Sequence, residues 1–144
     1  MSDRLLVAYG TTNDATRRVA EVIADQLRID GLTVDVAPAS DIHAVNGYDA
    51  VVLGGAVFHA HWHDDSRRFA RRHASALNDR PVWVFSAVSD GDAPSPTPVR
   101  GALQAMVRLH ARGHASFSTA VQPMRAWADS IARALSASPT ATSH

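Results

Sequence analysis

Residues 48–73 read YDAVVLGGAVFHAHWHDDSRRFARRH and join a predicted strand, a pair of glycines, a histidine cluster and an amphipathic helix. The apolar run at 50–53 is typical of a strand buried on both faces, and the apolar positions that recur at helical spacing after residue 64 predict a helix. We interpret Gly54 and Gly55 as a turn at the carboxyl end of the strand. A strand, a loop and a returning helix form the unit from which parallel α/β sheets are built.

The same alternation of strand and helix signals continues on both sides of this stretch. Further strands are predicted at residues 4–9, 32–37, 81–88 and 114–121, and further helices begin near residues 16, 98 and 123. The pattern predicts an α/β fold, a doubly wound five-stranded parallel sheet between two helical layers in a three-layer αβα arrangement. We expect one domain over residues 1–136 and a disordered tail over residues 137–144, because the tail shows no periodicity.

The composition limits the functions that are available. The chain has 144 residues, no cysteine and no lysine, and its 14 arginines balance 14 acidic residues. Without cysteine there is no thiol catalysis and no thiolate metal site, so redox chemistry needs a bound cofactor. The balanced charge gives no net field to hold nucleic acid. No apolar run is long enough to span a membrane and the N-terminus lacks the pattern of a secretory signal, so we expect a cytoplasmic protein.

Three loops are expected to converge on one site. In doubly wound folds, ligands bind above the carboxyl ends of the strands, where the strand order reverses. The loops after the first, third and fourth predicted strands, at residues 10–16, 54–62 and 87–98, should meet there. The first of them, GTTNDAT, offers the hydroxyls of Thr11, Thr12 and Thr16 at the start of a helix, which is suited to a phosphate group. The alternative interpretation is a polar turn that caps the helix.

The histidine cluster allows a second interpretation of the same stretch. His59, His61 and His63, followed by two aspartates, are similar to the HxHxDH signature of metallo-β-lactamase-like hydrolases, in which alternating histidines and an acid hold two metal ions. The pattern departs from that signature at the fifth place, where His63 stands instead of Asp. We therefore rank a metal-dependent hydrolase below the other hypotheses and predict no metal site. His63 could also simply cap the helix that follows it.

The chain resembles the flavodoxin family, in particular flavodoxin-like flavoproteins related to menaquinone-dependent protoporphyrinogen oxidase. The segment YGTTNDATRRVA resembles the loop that holds the FMN phosphate, and the stretches YDAVVLGGAVFHAHWHDDSRRFARRHASAL and PVWVFSAV resemble the oxidase branch. The resemblance implies a flavodoxin-like fold with strand order 2-1-3-4-5. It also implies an FMN cofactor, a role in electron transfer or small-molecule oxidation and reduction, and either a redox partner protein or a small-molecule substrate.

The resemblance also assigns the cofactor-binding residues in three groups. The phosphate group would be held by Thr11, Thr12, Asn13, Asp14, Ala15 and Thr16. The flavin ring would lie against Ala56, Val57, Phe58, His59 and Trp62. The pyrimidine end of the ring would pass over Ser86, Ala87, Val88, Ser89, Asp90 and Gly91.

Asp14 supports an alternative of another class. Asn13 and Asp14 stand where the family has a hydroxyl residue and a glycine, and a carboxylate near a phosphate is repulsive unless it points outward. A flavodoxin-fold protein that has lost FMN and acts as an interaction module would tolerate such a change. Catalytic residues are not assigned, and the sequence leaves open whether the protein is an enzyme and in which oligomeric state it acts.

Overall fold

A computed structural model describes residues 4–10, 14–58, 61–88 and 98–142, with the backbone alone over 137–142. The strands are β1 (Arg4–Gly10), β2 (Thr33–Pro38), β3 (Ala50–Phe58), β4 (His61–Trp62), β5 (Val82–Val88) and β6 (Gly113–Phe117). The helices are α1 (Asp14–Ile29), α2 (Asp64–His73), α3 (Arg100–Leu109) and α4 (Val121–Thr142), with one 3₁₀ turn at Ala39–Asp41.

Five strands form one parallel sheet in the order β2-β1-β3-β5-β6. This confirms the predicted doubly wound topology, because β5 and β6 are the fourth and fifth strands of the prediction. One strand was not predicted. The two-residue strand β4 pairs antiparallel with the end of β3, with Val57 opposite Trp62 and Phe58 opposite His61. Most of the expected loop at 54–62 is therefore part of an antiparallel hairpin, with residues 54–58 in β3 and residues 61–62 in β4.

Gly54 and Gly55 do not form the predicted turn; they lie inside β3 and pair with the strands on both sides. Their backbone is extended, and glycine is needed for space rather than for backbone freedom. A Cβ atom on Gly54 would overlap the ring of Phe85, and one on Gly55 would lie 2.5 Å from Trp62 Nε1. The turn interpretation is wrong because a glycine pair marks close packing as readily as it marks a turn.

Two hydrophobic cores sandwich the sheet, which confirms the three-layer arrangement. One core packs α1 and α4 against one face of the sheet, through side chains such as Ile23, Phe85 and Ile131. The other packs α2 and α3 against the opposite face, through side chains such as Leu53 and Phe69. Alternate residues of the central strands point to opposite sides of the sheet. Because consecutive residues in these strands are apolar, each strand contributes to both cores.

The last two elements differ from the prediction in their limits. Strand β6 ends at Phe117 rather than near residue 121, and α4 begins at Val121, so Pro123 falls in the first helical turn instead of opening it. Proline is tolerated there because its missing N–H has no intrahelical partner in that turn. Helix α4 continues to Thr142, past the expected boundary at residue 136. Within the described part of the chain, no helix is long and apolar enough to cross a membrane.

Candidate functional site

The carboxyl ends of the central strands meet at one edge of the sheet, as parallel pairing requires. Strand β1 ends there at Gly10, β3 at Phe58, β5 at Val88 and β6 at Phe117. The segments that follow the first three of these strands lie largely outside the described residues. They contain seven predicted site residues, whose roles stay predictions: Thr11, Thr12, Asn13, His59, Ser89, Asp90 and Gly91.

The N-terminus of α1 lies at this edge, directly after the predicted phosphate loop. Asp14 and Ala15 open the helix and are exposed. Thr16 is 1% exposed, and among the described residues its Oγ1 atom has no hydrogen-bond partner. A buried hydroxyl without a partner costs roughly 1–3 kcal/mol of free energy, so this position calls for a polar partner beyond the described residues.

A cavity of about 260 Å³ lies beside this helix end. Its walls come from the first turns of α1, from the segment after β6 and from the start of α4. It is lined by Asp14, Ala15, Arg18, Val19, Ser118, Thr119, Val121 and Met124. Ser118 and Thr119 were not predicted as site residues, because the last predicted strand, at 114–121, runs through them. A shorter strand would have placed both hydroxyl residues in a fourth loop at the carboxyl edge.

Of the described residues predicted to face a flavin ring, Phe58 is the one whose side chain is presented to solvent. It ends β3 and is 68% exposed. Val57 is buried in the core beneath α2 and α3, and Ala56 is half-buried within the strand. Trp62 is completely buried, and its Nε1–H donates to the carbonyl of Phe85 at 3.4 Å. Trp62 therefore lies in β4 as a core residue, and does not begin a helix.

The N-terminus of α2 packs tightly beneath this edge of the sheet. Ser66 is fully buried and its hydroxyl donates to the carbonyl of Gly54 at 2.7 Å. A Cβ atom on Gly10 would lie 2.9 Å from the backbone nitrogen of Ser66, so glycine is required for this approach. His63 caps α2, because its Nδ1 atom accepts from the N–H of Asp65 at 3.1 Å. The helix that follows the hairpin is thereby fixed against both central strands.

The described part of the histidine cluster is engaged in contacts within the protein. His61 Nε2 lies 2.9 Å from Asp64 Oδ1, and this hydrogen bond lowers the pKa of the Asp64 carboxyl below its ordinary value. With His63 acting as a cap, the two histidines are directed to separate partners. No group of three or more potential metal ligands occurs among the residues that the structure describes.

On the third predicted loop, Ser86 and Ala87 belong to β5 and not to the loop itself. Ser86 is 2% exposed, and its hydroxyl lies 3.0 Å from His114 Nε2 on the neighbouring strand β6. Ala87 is buried in the core beneath α1 and α4. Val88 is half-buried at the strand end. Strand β5 ends at Val88 as predicted, and its register with β3 extends to the pair of Val57 and Val88.

The comparisons with known proteins agree with this architecture. A family model described as flavodoxin domain matches residues 6–123. The chain is 30% identical over 88 residues to protoporphyrinogen IX dehydrogenase (quinone) from Escherichia coli strain K12. The same figures hold for the proteins of that name from the strains CFT073 and O157:H7. The match covers 58% of this chain and 47% of the relative, so the chain spans about half the length of the curated relatives it matches.

Solved structures share the fold at low sequence identity. Rubredoxin oxygen:oxidoreductase from the anaerobe Desulfovibrio gigas superposes with a TM-score of 0.76 at 15% identity, over 93% of this chain and 36% of that chain. A flavodoxin from the domain Archaea superposes with a TM-score of 0.75 at 14% identity, over 92% of this chain and 99% of that one. The second comparison places nearly the whole of a flavodoxin on this chain.

Proposed function

This chain belongs to the flavodoxin family, and from that premise we propose that it binds FMN non-covalently and acts in electron transfer or in the oxidation and reduction of a small molecule. The phosphate group would be held at the N-terminus of α1, and the flavin ring would lie at the end of β3. FMN, when bound, supplies the redox centre that a chain without cysteine cannot provide from its own side chains.

The observation that carries the proposal is the Thr16 hydroxyl. It is buried in the first turn of a 16-residue helix at the carboxyl edge of the sheet, and its Oγ1 atom has no hydrogen-bond partner among the described residues. The first turn of a helix also leaves backbone N–H groups without intrahelical partners, and the helix dipole favours an anion there. A phosphate oxygen is the partner that suits both features.

The charges around the cavity are compatible with a phosphate group. Asp14 is exposed at the first position of α1, where a carboxylate is itself stabilised by the helix dipole. Arg18 stands one helical turn later and lines the same cavity, so its positive charge offsets the carboxylate. The replacement of the family's glycine by Asp14 therefore weakens the phosphate site without abolishing it.

Phe58 supports the ring end of the proposal. An aromatic side chain that is 68% exposed at the end of a central strand is unusual, because burial of a phenylalanine side chain stabilises a protein by about 1.5–3 kcal/mol. The hairpin of β3 and β4 anchors this side chain, since its neighbours Val57 and Trp62 are buried. Phe58 would stack on the flavin ring and keep water from one side of it.

The substrate or partner follows from the relatives only as a hypothesis. The matching relatives are dehydrogenases named for protoporphyrinogen IX and quinone, and this chain corresponds to about half of their length. We propose electron exchange with a partner protein or a small organic molecule at the exposed ring edge beside Phe58, and leave the choice between them to experiment.

Substitution of Thr16 tests the proposal directly. We expect Thr16→Val, which keeps the shape of the side chain and removes the hydroxyl, to weaken FMN binding about tenfold, because a hydrogen bond to a charged group contributes roughly 1.5–3 kcal/mol. Thr16→Ser keeps the hydroxyl and should stay within about threefold of the unchanged protein. Affinity is measured by titration of the apoprotein with FMN and by the change in its visible spectrum.

The cofactor-free apoprotein supplies a second measurement. In the absence of FMN, Thr16→Val should raise the free energy of unfolding by about 1 kcal/mol, because it removes a buried hydroxyl that has no partner in the described part of the chain. A wild-type protein that binds no FMN would contradict the redox proposal and favour the cofactor-free interaction module. If Thr16→Val binds FMN as tightly as the unchanged protein, the phosphate group does not bind at the N-terminus of α1.

A further inference from the structure

A small cleft between α2 and α3 is lined by three arginines. It has a volume of about 60 Å³ and lies on the face of the sheet opposite to α1. Its lining consists of Arg67, Ala70, Arg71, Gly101, Gln104, Ala105 and Arg108. No acidic residue is part of this lining, so the described walls of the cleft carry positive charge alone.

Two of the three arginines have no ion-pair partner among the residues that the structure describes. Arg67 lies 3.3 Å from Asp64 Oδ1, an oxygen that His61 also contacts. Within the described ranges, neither Arg71 nor Arg108 has a carboxylate within 4.0 Å. Of the three guanidinium groups at the cleft, that of Arg67 shares its carboxylate with His61, and the other two have no carboxylate nearby among the described residues. The net charge of the whole protein is zero.

Repulsion between these arginines is unfavourable when no anion is bound. Arg67 and Arg71 are four residues apart on α2, where like charges destabilise a helix by a few tenths of a kcal/mol. Arg71 and Arg108 each stand in the last turn of their helix, where the helix dipole favours a cation. The dipole accounts for each arginine separately, but it does not account for their convergence on one cleft.

Small residues keep the cleft open between the helices. Ala70, Gly101 and Ala105 form its floor, and a Cβ atom on Gly101 would lie 3.2 Å from Cδ of Arg67. The Arg67 stem thus packs over Gly101. The side-chain amide of Gln104 adds a neutral donor to the three guanidinium groups.

We propose that the cleft between α2 and α3 binds a single phosphate-sized oxyanion. Guanidinium forks match the oxygens of such a group, and three of them favour a dianion over a singly charged carboxylate. A cleft of about 60 Å³ between two helices suits one compact group. The oxyanion is either free inorganic phosphate or the phosphate of a monoester whose remainder extends into solvent.

The test uses the full chain and inorganic phosphate at constant ionic strength, with binding followed by calorimetry and by NMR shifts of the arginine side-chain N–H groups. We expect saturable 1:1 binding at the cleft. Arg71→Gln and Arg108→Gln should each weaken it about tenfold or more. Arg72→Gln is the matched control, because Arg72 is an exposed arginine of the same helix that does not line the cleft, and it should change the affinity less than twofold.

Further titrations separate the possible sources and locate the site. Phenyl phosphate should bind with an affinity similar to that of inorganic phosphate if the cleft accepts a monoester, whereas much weaker binding assigns the cleft to the free ion. Arg71→Gln should leave FMN affinity unchanged, which separates this site from the FMN proposal. Shifts that rise linearly with concentration, that chloride reproduces, or that acetate matches at equal concentration would overturn the proposal.

Discussion

His73 is a buried titratable residue far from the carboxyl edge of the sheet. It is 5% exposed, it packs against the ring of Phe69 with centroids 4.6 Å apart, and among the described residues its Nε2 atom has no hydrogen-bond partner. Burial lowers the pKa of His73 below its ordinary value; a hydrogen bond with the backbone of Ile42 opposes this shift, and the nearby charge of Arg72 adds to it. The folded protein therefore favours the neutral imidazole.

This residue predicts the sign of one pH effect. Because the pKa of His73 is lower in the folded state, the unfolded chain takes up more protons as the pH falls below about 6.5. Stability from this group is present above that pH and is lost as the pH falls toward the folded-state pKa, by up to about 1.4 kcal/mol for each unit of lowering. We expect His73→Leu to reduce the loss of stability between pH 8 and pH 5, measured by urea unfolding.

The control for this prediction is His43→Leu, which removes an exposed histidine. Its pH dependence shows what the loss of one exposed histidine does to stability, and that of His73→Leu is compared with it. A stability difference between His73→Leu and the unchanged protein that stays constant from pH 8 to pH 5 would show that His73 does not titrate differently on folding.

The roles of single residues were the least predictable from the sequence. Phe58 and Trp62 are both aromatic and stand four positions apart, yet one is 68% exposed and the other is completely buried. The difference arises from the two-residue strand β4, whose pairing turns alternate side chains to opposite sides. A strand of two residues has too little periodicity to be recognised from sequence, so the two roles could not be separated beforehand.

At the scale of elements, β3 is the strand on which the site depends. It pairs with β1, β4 and β5. Its two glycines have no side chain, which leaves room for the rings of Phe85 and Trp62. The sequence predicted its buried start correctly but ended it at residue 53, because glycine has low strand propensity. Tertiary packing against Phe85 overrides that propensity at Gly54.

Gly54→Ala tests this account of the strand. The added methyl group would overlap the ring of Phe85, so we expect the free energy of unfolding to fall by about 3 kcal/mol or more, as for an overpacked core. Gly113→Ala is the matched control in β6, where the new Cβ would lie at an ordinary 3.4 Å from Trp83. It should change stability by less than about 1 kcal/mol.

A double variant identifies the cause of the predicted loss. Phe85→Leu removes the ring that the new methyl group meets, so Gly54→Ala should cost at least about 1 kcal/mol less in that background than alone, measured as a double-mutant cycle. Strictly additive effects would show that Gly54 is needed for a reason other than the ring of Phe85.

At the scale of the whole molecule, topology was the most predictable property. Strand and helix signals alternate, and the right-handed crossovers that parallel strands require leave few ways to order five strands. That restriction admits more than one doubly wound order, and the resemblance to the flavodoxin family implied the observed one, β2-β1-β3-β5-β6. The candidate site was less predictable because it is made where segments distant in sequence meet. Ser118 and Thr119 reach the cavity beside Asp14 only through the pairing of β6 at the far edge of the sheet.

The limits of the folded unit remain a prediction that truncation can test. Helix α4 contributes Met124, Ile131 and Leu135 to the core beneath α1, and Leu135 is the last of its described side chains to be buried there. We expect a chain ending at residue 136 to unfold within about 0.5 kcal/mol of the 144-residue chain, because the sequence after residue 136 has no apolar periodicity with which to pack. A chain ending at residue 130 removes Ile131 and Leu135, each worth roughly 2–5 kcal/mol, and should lose most of its stability.

Urea unfolding of the three chains makes the comparison. A large loss on removing residues 137–144 alone would place part of the stabilising structure beyond residue 136, and the folded domain would then extend along α4 toward Thr142.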